Sequence, residues 1–98
     1  MATKKDLQNA VDFYNERYCK KTKNMLAISQ AYGGYAVVLT GKRNRKTGRP
    51  LVGSIGTGHA NVGNSYHDTA TNTLNGLYKA DSRGYLKSSI EFYDKGRY

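Results

Sequence analysis

Five of the eight residues from Lys42 to Arg49 are basic: Lys42, Arg43, Arg45, Lys46 and Arg49, with Asn44 among them. Ammonium groups offer point charges, and guanidinium forks match phosphate oxygens and guanine edges two bonds at a time. A second cluster, Arg17, Lys20, Lys21 and Lys23, precedes it, and no acid falls between Arg17 and Arg49. These types at this spacing predict a polyanion ligand, nucleic acid in particular, gripped through its phosphates. Solubility is the plainer use of surface charge. Crowded like charges repel and cost stability, so this density is more than solubility needs.

Nine tyrosines and no tryptophan form a second chemical resource. Tyr14 and Tyr18 fall on one helical stripe and read as core. Tyr32 and Tyr35 flank Gly33 and Gly34. They are candidates for stacking on unpaired bases or for anchoring a protein partner, although a half-buried structural role is commoner for tyrosine.

His59, Asn61, His67 and Asp68 are the only catalytic-looking group. Two imidazoles and a carboxylate can bind a metal or activate water. Their eight-residue spacing, with no second acid nearby and no paired cysteines, fits hydrogen bonding and capping better. The run Gly56-Thr57-Gly58-His59-Ala60-Asn61-Val62-Gly63 is a glycine-rich loop whose amides could approach a phosphate. It lacks the Gly-Lys-Ser/Thr ending of a P-loop, and its third glycine is misplaced for a dinucleotide fingerprint. Cys19 has no histidine near it in sequence and reads as a buried thiol.

The elements that must position these residues follow from periodicity. Leu7, Val11, Tyr14 and Tyr18 recur at helical spacing, widened by Ala10 and Phe13, so a helix is predicted over about 4–19. Thr3 to Asp6 reads as its N-cap. Strands are predicted over 24–30 and 35–40, with the glycine pair as their turn. Residues 51–55 would return as a third strand, making 41–50 the basic tip of a hairpin that turns at Lys46-Thr47-Gly48. A second helix should begin at Ser65, with Ala70, Leu74, Leu77 and Tyr78 as its stripe, and stop at Gly84. Leu86, Ser88, Ile90 and Phe92 alternate with polar residues, which predicts a last strand over 85–93; Leu86, Ile90 and Tyr93 also suit a helix. The expected fold is α+β, in the order α-β-β-β-α-β: a small antiparallel three- to four-stranded sheet with two helices packed on one face. The opening order resembles that of double-stranded-RNA-binding domains. Those domains carry a lysine-rich start to their second helix. Here that stretch is Asn64-Ser65-Tyr66-His67-Asp68, so none of their site residues is carried over.

The chain has 98 residues and a formal net charge of +9, a size that predicts one domain with one modest core. Residues 1–49 hold eleven basic and three acidic side chains, and residues 50–98 hold five and four. No apolar run is long enough to span a membrane, and the N-terminus lacks the apolar stretch of a secretory signal. One cysteine excludes an internal disulfide framework and fits a reducing, cytoplasmic setting. The sequence-level expectation is a non-enzymatic nucleic-acid-binding protein, taking DNA or RNA, without cofactor or metal. The alternative is a phage-type module that inhibits a host nucleoprotein or defence enzyme by presenting its basic, tyrosine-rich face to an acidic protein surface. A small metal-dependent nuclease using His59, His67 and Asp68 is more remote. Monomer and homodimer are both compatible, the latter through an edge strand at 85–93.

Overall fold

A computed structural model describes residues 1–52, 60–64 and 66–95. Helix α1 spans Lys4–Tyr18. Thr3 caps it reciprocally: the Thr3 hydroxyl accepts from the Asp6 N–H at 3.2 Å, and the Thr3 N–H donates to the Asp6 carboxylate at 2.9 Å. The two bonds satisfy amides that a helix start leaves orphaned. They also hold the Asp6 carboxyl below its ordinary range. Leu7, Ala10, Val11 and Tyr14 form the buried stripe, while Phe13 is exposed.

Strands β1 (Met25–Ala31) and β2 (Gly34–Thr40) form an antiparallel hairpin in which Leu26 pairs with Leu39 and Ile28 with Val37. Strand β3 (Ala60–Val62) adds to the far side of β2, giving the order β1-β2-β3. Beyond β3 the same edge of β2 is continued by Asp68, which exchanges two main-chain hydrogen bonds with Tyr35, at 2.6 and 2.8 Å. Gly34 sits against this bridge. A Cβ there would lie 2.9 Å from the Asp68 backbone, so only glycine fits.

Helix α2 spans Ala70–Ser82 and helix α3 spans Tyr85–Asp94, joined through Arg83 and Gly84. Leu7, Val11, Leu26, Val37, Leu39, Leu77, Leu86 and Ile90 meet in one core between the helices and one face of the sheet. Ala27, Ala36, Val38 and Thr40, on the other face, are buried too.

The small α+β class holds, and its details differ from expectation in four places. Residues 85–93 are helix rather than strand. Leu86 and Ile90, four apart, are the buried pair, with Tyr93 partly buried, while Phe92 is exposed. Among the described residues three helices therefore pack where two were expected. The second helix begins at Ala70 with Thr69 as its cap, whose hydroxyl accepts from the Asn72 N–H at 3.2 Å; Asp68 is drawn off to pair with β2, and the anticipated cap Ser65 lies outside the described residues. Leu51 and Val52 belong to no strand, and residues 53–59 lie outside the described residues. Ala60–Val62, expected as part of the glycine-rich loop, is strand β3, because it pairs with Val37 to Leu39 of β2. No helix among the described residues is long and apolar enough to cross a membrane.

Candidate nucleic-acid interface

The turn from α1 into β1 is held by local polar bonds. Cys19 ends the helix, its N–H donating to the Asn15 carbonyl at 2.9 Å. Its thiol is buried, and burial pushes it above the ordinary thiol range, which makes it a poor nucleophile. The Lys23 N–H donates to the Asp94 carboxylate at 2.5 Å, and the Asn24 amide donates to the Tyr93 carbonyl at 3.0 Å. The connection carrying Lys20, Lys21 and Lys23 is thus fastened to the end of α3.

The second basic segment turns back on itself. The Asn44 N–H donates to the Arg49 carbonyl and the Gly48 N–H to the Asn44 carbonyl, both at 2.8 Å. The Asn44 side chain accepts from the Lys46 and Thr47 amides at 2.8 and 3.1 Å. Gly48 takes a left-handed φ of +72° to close the loop. Asn44 is therefore a turn-former, its carbonyl oxygen committed to the backbone.

Arg43 joins the two segments. Its guanidinium donates to the Lys23 carbonyl at 3.0 Å and the Thr22 carbonyl at 3.4 Å, and contacts the Met25 sulfur. Clusters some twenty residues apart in sequence thereby share one end of the sheet. The cost is that Arg43 spends its donors internally. Lys20 is also engaged, in an exposed ion pair with Glu16 at 2.8 Å that raises its ammonium pKa through that bond. Arg17 lies over the Tyr18 ring, 5.4 Å from its centroid. Lys21, Lys23, Lys42, Arg45, Lys46 and Arg49 are exposed, and no described residue bonds their charged ends. These six are the available phosphate donors.

The tyrosine candidates stand elsewhere. Tyr32 occupies the β1–β2 turn, at the opposite end of the hairpin from Thr40. Seven residues at about 3.3 Å each put ~20 Å between that turn and the basic end. Tyr32 is 94% exposed, with its ring edge-on to His67 at 6.1 Å. Tyr35 is half-buried against the core, its backbone tied to Asp68 and its carbonyl also accepting from the Thr73 hydroxyl at 2.8 Å. Tyr14 and Tyr18 are packed as expected, and both hydroxyls donate to Asp81, at 3.2 and 2.6 Å. That bonding to a carboxylate was not visible in the stripe pattern, because Asp81 lies more than sixty residues away.

His67 and Asp68 are occupied by structural partners. A His67 ring nitrogen lies 3.0 Å from the Ser29 hydroxyl. The Asp68 carboxylate accepts from the Thr69 N–H at 2.7 Å and the Asn72 amide at 3.2 Å, bonds that lower its pKa. No three His, Cys, Asp or Glu side chains among the described residues are grouped to hold a metal; His59 lies outside those residues. No protein-family model matches the chain, and comparison with curated proteins and with solved structures found no similar chain.

Proposed function

We propose that this chain is a small non-enzymatic nucleic-acid-binding protein that grips phosphates with the basic end of its sheet. The observation that carries the reading is the Arg43 brace, which sets Lys21 and Lys23 beside the Lys42–Arg49 hairpin. Two modest charge clusters become one surface, and their fields add where a polyanion would lie. Lys21, Lys23, Lys42, Arg45, Lys46 and Arg49 are the contacting groups. Arg43 and Asn44 are positioning residues that shape the turn. Tyr32 lies outside this surface and Tyr35 is packed against the core, so binding rests on phosphate contacts rather than on stacking at these two rings.

The test is fluorescence anisotropy with labelled duplex DNA, single-stranded DNA and RNA across a salt series. Native protein should bind with a steep salt slope. The triple variant Arg45→Glu, Lys46→Glu, Arg49→Glu should lose at least about tenfold in affinity and flatten the slope by about 3, since each lost phosphate contact removes roughly one unit. Its melting temperature should not fall below native, because no described residue bonds these three charged ends. Absence of binding to all three ligands at low salt, or native affinity in the triple variant, would end the proposal.

A further inference from the structure

Among the described residues strand β1 is the outer strand of the sheet, and its outer edge is only partly covered. Pairing across the hairpin turn directs the main-chain groups of Leu26, Ile28 and Gln30 outward. Leu26 is satisfied by Asn15 on α1, whose amide donates to the Leu26 carbonyl at 2.9 Å and whose carbonyl oxygen accepts from the Leu26 N–H at 2.7 Å. That side chain stands in for one residue of a neighbouring strand. Nothing among the described residues does the same for Ile28 or Gln30.

Alongside this edge lies a groove of about 720 Å³. Helix α1 walls it on the core face of the sheet with Gln8, Asp12 and Glu16, one turn apart. The 47–52 limb, held to Thr40 by the bond from its hydroxyl to the Leu51 carbonyl at 2.9 Å, walls it on the other face. The floor is the β1 edge from Met25 to Ile28. The α1 wall carries Asp12 and Glu16, the latter paired with Lys20 at 2.8 Å, and the other wall carries Arg49.

We propose that this groove receives an extended polypeptide strand of alternating charge, which continues the sheet past β1. Successive side chains of an added strand point to opposite faces. Basic ones would meet Asp12 and Glu16, acidic ones Arg49, and the peptide backbone would pair with Ile28. A second copy of this chain fits less well. Antiparallel β1–β1 pairing would bring two α1 helices together on one face, with their carboxylates opposed. Of the six proposed phosphate donors Arg49 alone also lines this groove; the Ile28 floor and the α1 wall take no part in phosphate binding.

The probe is a capped hexapeptide of strictly alternating lysine and glutamate, titrated into the ¹⁵N-labelled full chain. Controls are its block isomer, with the lysines first and the glutamates after them, and a version of the alternating peptide N-methylated at every second residue. The alternating peptide should shift the Ile28 and Gln30 amides and slow hydrogen exchange at Ile28. The block isomer and the Asp12→Lys, Glu16→Lys double variant should each weaken binding by about tenfold, the sum of two modest ion pairs. The methylated peptide, unable to pair its backbone, should not bind. The proposal is overturned by no response at Ile28 up to millimolar peptide, or by equal response to all three peptides. Protection of Ile28 that grows with protein concentration alone would assign the edge to self-association and overturn it equally.

Discussion

Tyr32 shows what one residue can tolerate. It is the only non-glycine with positive φ among the described residues, at +53°, followed by Gly33 at +74°. Two successive left-handed residues define the turn whose twist matches a two-residue hairpin, where asparagine or glycine is preferred at the first position. A β-carbon and ring there cost on the order of 1 kcal/mol. The edge-on His67 contact is too solvent-exposed to offset all of it. Tyr32→Asn should therefore raise unfolding stability by about 0.5 kcal/mol, measured by urea denaturation. A destabilised variant would show that the aromatic contact outweighs the backbone strain.

At the scale of elements, one side chain links the first helix to the edge of the sheet. Asn15 both donates to and accepts from Leu26. Asn15→Ala leaves both main-chain groups without their partner, at a cost of about 2 kcal/mol. Asn15→Asp keeps the acceptor for the Leu26 N–H but sets a carboxylate against the Leu26 carbonyl. It should be destabilised near neutral pH and recover part of the loss when the carboxyl is protonated. Equal stability of native and Asp variants at both pH values would show that α1 and β1 are joined by apolar packing alone. Such long-range polar bonds are what sequence periodicity cannot carry. Helix α1 and the β1–β2 hairpin were legible because cap, stripe and turn residues agree locally. Residues 85–93 were misread because Leu86, Ser88, Ile90 and Phe92 fit an alternating pattern as well as Leu86, Ile90 and Tyr93 fit a helical one. Packing against α2 decides between them. The start of α2 was displaced because Asp68 pairs with Tyr35 across the sheet, a tertiary bond that overrides the local capping signal.

The whole molecule is shaped by its excess of positive charge. The basic segments were legible as clusters, but not that Arg43 would spend its guanidinium on the Thr22 and Lys23 carbonyls. Drawing them together concentrates repulsion, and only two ion pairs, Glu16–Lys20 and Glu91–Lys87, offset charge among the described residues. Both are exposed and worth little. Screening should therefore stabilise the fold. At about 0.5 M salt the Debye length falls to roughly 4 Å, shorter than most separations between exposed side chains. Thermal unfolding of the native chain should move upward between low salt and about 0.5 M sodium chloride. The Arg45→Glu, Lys46→Glu, Arg49→Glu variant, six charge units less positive, should show a smaller shift from a higher low-salt baseline. Salt would then act in opposite directions on two properties of one surface, strengthening the fold while weakening its hold on a polyanion. If native and variant melt with the same salt dependence, the basic end is not a site of stored repulsion. The argument that its charge density exceeds the needs of solubility would lose its physical basis.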